Sequence, residues 1–210
     1  MKQASIILIV SLLWVSWKEK QPDKYENLYD IIDELLRFNY YDAGVVVLEL
    51  TEISTSTSYY IDSNEDTINY GQPQPNSPDF ITYNKNWFEF LFKIGMIDSA
   101  EIDYFFNQID TLKPYTLDPA RINKNTISSS ELGQIFNHYG IDSTYSILSE
   151  KYSYPCIIQF STPLISHDGN KMIIDVDSHC GGQSGGGIRY LFERKNGKWR
   201  IIYSKGTWIS

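Results

Sequence analysis

The chain predicts an α+β fold, with a helical N-terminal two-thirds packed on a C-terminal four-stranded antiparallel sheet. Three observations predict it. Apolar residues recur at helical spacing in several stretches between residues 22 and 152. After Pro155 the pattern changes to β-rich runs separated by turn residues. Asn196-Gly197 then joins two such runs as a two-residue hairpin. A curved sheet wrapped around a helix, as in cystatin-like cone folds, is the alternative architecture.

Residues 22–210 read as a single α+β domain, since 210 residues with 42% hydrophobic content can bury one core. A net charge of −8 disfavours nucleic acid, whose phosphates would be repelled, and no local Lys/Arg cluster is evident to offset it. An anionic membrane surface is disfavoured for the same reason. The 16 tyrosines could stack on sugars or peptides, but they accompany abundant Asn, Ile and Lys, as composition bias alone would produce.

Residues 1–21 read as a signal peptide or membrane anchor. Lys2 is followed by an uncharged, largely apolar run from Ala4 to Trp17, stopped by Lys18-Glu19-Lys20. That run suits a secretory segment and is short of the about 20 residues a membrane span needs. Trp14 occupies a position where a cleavage site wants a small residue, and no Cys follows to accept a lipid. No later run could span a bilayer as a helix. Export to the periplasm, cell surface or medium is the expected localisation.

The elements follow in order. Pro22 opens a helix whose Tyr25, Leu28, Tyr29, Ile32, Leu35 and Leu36 form one face. Val45 to Ile53 is β-branched and reads as a strand, with a second short strand over Ser58 to Ile61. A flexible loop is expected at residues 63–83, where Gly71, Pro73, Pro75 and Pro78 interrupt a polar stretch. Asn84 to Met96 reads as a helix. Asp98 and Glu101 form a capping box for another over Ser99 to Ile109. Ser128 and Glu131 cap a fourth helix ending near Gly140, and Ser143 to Tyr152 forms a fifth.

Four strands close the chain: Cys156 to Ile165, Lys171 to Cys180, Ile188 to Lys195 and Lys198 to Lys205. The Asn196-Gly197 turn sets Lys195 against Lys198, Glu193 against Arg200, Phe192 against Ile201 and Tyr190 against Tyr203. For the preceding hairpin, a three-residue Asp168–Asn170 loop is preferred over a two-residue loop. It sets Leu164 against Ile174, Thr162 against Val176 and Ile158 against Cys180, gathering the apolar residues on one face.

That register leaves Asp175, Asp177 and His179 together on the opposite face. They lead into the loop Cys180-Gly181-Gly182-Gln183-Ser184-Gly185-Gly186-Gly187. Asp175, Asp177, His179 and Ser184 are the candidate ligand-binding residues. Three donors on one strand span roughly 14 Å, too far for one ion without a bulge, so no metal site is expected. The same alternation fits a plain solvated sheet face. Gly182-Gln183-Ser184-Gly185-Gly186 resembles the Gly-Asp-Ser-Gly-Gly nucleophile motif of trypsin-like proteases. Gln183 replaces the Asp, however, and His138, His167 and His179 all lie outside that family's Ala-Ala-His-Cys context. Consecutive glycines could also form an anion-binding nest, though no helix follows to add its dipole. The plainer reading is a turn or bulge.

In the preferred register Cys156 faces Gly182 and Cys180 faces Ile158. The two sulfur-bearing residues are then diagonal, roughly 7 Å apart, against the roughly 3.8 Å that a disulfide wants between Cβ atoms. A bulge would close that gap, so a Cys156–Cys180 disulfide stays open at this point.

Residues 84–210 resemble small exported proteins of Bacteroidota. The likeness rests on Met96 to Asp98 with Gln108-Ile109, Ser161 to Ile165, Cys180 to Gly187, and the closing Gly197 to Ser210 with its Trp-Ile-Ser end. That family often has a second Cys where this chain has Ser184. The resemblance implies export and an α+β fold, and implies no activity.

The expected function is therefore that of an exported cell-envelope protein, non-catalytic, either structural or ligand-binding. No cofactor is implied, and a small molecule, glycan or protein remains the open partner class. The alternative is a hydrolase using His179 with Asp177 and Ser184.

Overall fold

β-branched runs from both ends of the chain build one mixed sheet, in a computed structural model that describes residues 25–37, 41, 44–55, 81–153, 156–181 and 184–209. The described elements are α1 (Glu26–Leu36), β1 (Gly44–Val47), β2 (Ile53–Thr55), β3 (Ile81–Tyr83), α2 (Lys85–Lys93), α3 (Ser99–Ile109), β4 (Thr126–Ile127), α4 (Ser129–Tyr152), β5 (Cys156–Phe160), β6 (Leu164–Ile165), β7 (Lys171–His179), β8 (Gly185–Lys195) and β9 (Lys198–Ile209). The main sheet has seven strands in the order β4-β1-β5-β7-β8-β9, with β6 also paired to β7. β2 and β3 form a separate parallel pair.

This corrects the expected architecture of a helical two-thirds on a four-stranded antiparallel sheet. β1 runs parallel to both β4 and β5, so the sheet is mixed and helices alternate with strands along the chain. The reason lies in Val45, Val46 and Val47. Each is fully buried, as a strand covered on both faces must be. A short apolar run far from the closing strands carries no local signal of which strand it joins.

Three hydrophobic clusters cover the two faces. On one face, Ile158, Phe160, Met172, Ile174, Val176 and Phe192 pack against Leu28, Ile31, Ile32 and Leu35 of α1. On the other, Ile173 and Leu191 pack against Trp87, Phe88 and Leu91 of α2 and Phe105 of α3. Val45, Val47, Ile127 and Ile157 meet Leu132 and Leu148 of α4. Strand alternation places this last cluster on the same face as the α2–α3 layer.

Local chemistry explains the helix ends. Asn84 caps α2, its Oδ1 accepting from Trp87 N–H at 3.0 Å. Ser128 caps α4, its Oγ accepting from Glu131 N–H at 3.1 Å. Asp98, expected to form a capping box, makes no side-chain cap; only its carbonyl accepts from Glu101 N–H. Gly140, at φ 75° and ψ 172°, breaks α4 where the sequence places a helix end.

Other boundaries shift. The strand expected over Val45 to Ile53 is broken into β1 and β2, and Cys156 to Ile165 into β5 and β6. Residues 81–83 of the expected loop are strand β3, and residues 63–80 lie outside the described residues, as do the segment 1–21 and the strand expected over Ser58 to Ile61. No described helix is long and apolar enough to cross a membrane.

Candidate functional site

β7 and β8 carry the polar row toward the glycine loop. Their pairing sets Asp175 against Arg189, Asp177 against Gly187 and His179 against Gly185. β5 pairs with β7 so that Ile157 meets His179 and Phe160 meets Val176. This is two residues from the preferred register, while Leu164 meets Ile173, the pairing of the two-residue loop. The irregularity at Ser161–Pro163 lets both registers coexist on one partner strand. A two-residue shift preserves faces, so Asp175, Asp177 and His179 still share one face. It also carries Cys156 directly opposite Cys180, and the two form a disulfide with Cα atoms 4.0 Å apart.

The row is not a solvated face. Asp175 and Asp177 are both buried. Asp175 accepts two bonds from one guanidinium, Arg189 Nε at 2.7 Å and Arg189 Nη2 at 3.0 Å. That guanidinium lies 3.6 Å from the centroid of the Tyr83 ring and 4.8 Å from that of Trp87. The Tyr83 hydroxyl sits beside this pair without a well-aligned hydrogen bond. Burial holds its phenol well above the ordinary value, offset in part by the Arg189 charge.

Asp177 Oδ1 accepts from the indole Nε1–H of Trp208 at 2.7 Å. The His179 ring stacks on the same indole, with centroids 4.9 Å apart and planes at 28°. The glycines make room for this. A Cβ on Gly187 would collide with Asp177 Oδ1, Thr207 Oγ1 and Trp208 Nε1. A Cβ on Gly185 would stand 2.8 Å from both the Ser178 carbonyl oxygen and the Trp208 ring. Gly185, Gly186 and Gly187 belong to strand β8, which corrects their reading as turn residues, and Gly185 and Gly187 form a slot for an indole.

Ser184 is exposed and shares its face with none of this. Its backbone closes the turn: Cys180 N–H donates to Ser184 O at 2.8 Å and Ser184 N–H to Gly181 O at 3.1 Å. Gly181 takes the left-handed φ of 87° that this turn requires. Among the described residues no group of three His, Cys, Asp or Glu side chains is placed to hold a metal ion.

The sequence reading missed Arg189, Trp208, Tyr83 and Trp87. Arg189 had a signal: it is the one charge inside Ile188-Arg189-Tyr190-Leu191-Phe192, a buried strand that needs an acidic partner. Trp208 had none, because two register shifts in the β8–β9 pair decide which way it points.

No family model, curated protein or solved structure matches this chain.

Proposed function

We propose that the protein is an exported cell-envelope domain that works by binding or as a structural element rather than by catalysis. The observation that carries this reading is the internal engagement of the polar row. Asp175 is clamped by Arg189, and Asp177 by the Trp208 indole, on which His179 is stacked. A general base must reach a reacting proton, and a carboxylate orienting it must face the imidazole. Here Asp177 Oδ1 is directed at an indole, and the exposed Ser184 sits in a turn. The row serves packing. The Cys156–Cys180 disulfide supports an oxidising compartment, in keeping with the apolar segment after Lys2.

Two measurements test the reading. A fusion of the full chain to alkaline phosphatase, which is active only after export, should be active in cells; an inactive but abundant fusion overturns export. Purified protein should show no turnover of chromogenic ester, amide or glycoside substrates. Turnover abolished by both His179→Ala and Ser184→Ala would establish the hydrolase instead.

A further inference from the structure

β9 is the longest of the described strands, at 12 residues, and it ends the sheet. Among the described residues it has no strand partner on its outer side, whereas the opposite edge, β4, is two residues long. A long edge presents a row of backbone N–H and C=O groups to an incoming strand. The outward ones follow from the hairpin. Lys195 and Lys198 flank the two-residue turn as its hydrogen-bonded pair, so Trp199 and Ile201 alternate with Lys198 and Arg200 and point their N–H and C=O groups outward.

The charges on this edge have one sign. β9 carries Lys198, Arg200 and Lys205 and no acid, in a chain of net charge −8. The end of β8 adds Arg194 and Lys195, so this hairpin holds a local basic cluster, which corrects the expectation that there is none. Lys198 and Arg200 oppose Lys195 and Glu193, and a bulge after Ile201 makes Lys205 oppose Arg189. All three cations thus fall on one face of β9. Without the bulge, Lys205 would point to the other face.

We propose that β9 is a docking edge for an extended acidic segment of a partner protein, which adds to the sheet as one more strand. Its alternate carboxylates meet Lys198, Arg200 and Lys205, while its backbone pairs with Trp199 and Ile201. A second copy of this chain fits poorly, because β9 against β9 sets three cations against three. A nucleic acid would meet the same cations but leave the backbone edge unsatisfied, and the net charge repels it. The proposal names a partner for the binding role above and rests on that reading. It is tested by a separate observable, so a failed peptide assay leaves the export and turnover results standing.

The probe is a fluorescein-labelled peptide of five Glu-Val repeats, titrated with the full-length protein and followed by anisotropy. Binding should weaken as salt rises from about 50 to about 500 mM. The variant Lys198→Glu/Arg200→Glu/Lys205→Glu should bind about tenfold more weakly, as three rim ion pairs predict. Arg200→Glu alone should give a smaller loss in the same direction, and serves if the triple variant misfolds. Bound peptide should slow amide exchange at Trp199 and Ile201. Five Lys-Val repeats should not bind. The proposal is overturned if the Glu-Val peptide fails to bind, if charge reversal leaves its affinity unchanged, or if a thymidine decamer binds as tightly and leaves exchange at Trp199 and Ile201 unaltered.

Discussion

The indole of Trp208 reaches across β8 to donate its Nε1–H to Asp177 Oδ1 at 2.7 Å. Asp177 on β7, Gly187 on β8 and Trp208 on β9 form one cross-strand row. The two outer strands of such a row lie roughly 10 Å apart, a gap that only a long side chain lying flat over a glycine can close. One contact thus ties three strands. Trp208→Phe keeps most of the apolar burial but removes the donor. It should cost about 1–3 kcal/mol, because the buried Asp177 carboxylate loses a hydrogen bond. Urea midpoints measure this, and a Trp208→Phe protein as stable as the parent would remove the bond from the account.

Gly187 and Gly206 provide a paired test of the slot. An alanine methyl at Gly187 would press on Asp177, Thr207 and Trp208, whereas one at Gly206 would meet nothing within 4 Å. Gly187→Ala should destabilise by about 1–3 kcal/mol through overpacking. Gly206→Ala should stay within about 0.5 kcal/mol of the parent. Equal midpoints for the two variants would show that the glycines are not there for the indole.

The contrast between these glycines marks where sequence reasoning stopped. The Asn196-Gly197 hairpin was legible, because Asn196 and Gly197 adopt φ of 53° and 74°, the turn that this dipeptide specifies. Its first pairs, from Lys195–Lys198 to Phe192–Ile201, follow from that turn. Beyond Ile201 a bulge pairs Leu191 with Tyr203 and Tyr190 with Ser204, in place of the expected Tyr190–Tyr203. Period-2 alternation predicts faces but not an inserted residue. The row Asp175, Asp177 and His179 was legible as a row for the same reason. Its burial was not, since the aromatic cover comes from Tyr83 and Trp87 over 80 residues earlier. The parallel placement of β1 was equally invisible, because pairing between distant short strands is settled by tertiary packing.

The disulfide closes a loop between residues separated by 24 positions. It joins the end of β7, where the glycine turn begins, to the start of β5. Cross-linking a loop of this size should stabilise by about 3 kcal/mol, mainly by restricting the unfolded chain. Cys156→Ser/Cys180→Ser should lower the urea midpoint and steepen the slope, because the unlinked unfolded chain exposes more surface. Reduction of the parent should reproduce the shift, and a midpoint unaffected by reductant would contradict it.

Asp168 sets a pH dependence in the turn before β7. Its carboxylate accepts from Ser166 Oγ at 2.6 Å and from the backbone N–H of Asn170 at 2.9 Å. These bonds, the Ser166 one foremost, lower its pKa from the ordinary carboxylate value to about 2. A depressed folded value means that the ionised form stabilises the fold. That contribution is full above the unfolded value near 4 and is lost as pH falls toward about 2. Asp168→Asn should therefore flatten the stability–pH curve in this window. The effect will be small, because the side chain is exposed and screened. A variant whose curve parallels the parent between pH 4 and 2 would exclude the role.

The Asp175–Arg189 pair allows the sharpest separation of necessity from net benefit. Side-chain exposure is 1% for Asp175 and 9% for Arg189, so each charge depends on the other for solvation. Arg189→Met leaves Asp175 charged and enclosed by apolar and aromatic groups, and should cost about 3–5 kcal/mol. Asp175→Leu should be comparably harmful, because it removes the carboxylate from a buried guanidinium that lies over the Tyr83 and Trp87 rings. The double variant removes both desolvation costs and keeps the volume apolar. It should recover most of the loss, which a double-mutant cycle in urea reads as strong coupling. Additive losses in that cycle would mean that the two side chains act through the aromatic cover independently. A coupled cycle would instead show that each charge is needed because the other is present, and not for net stability.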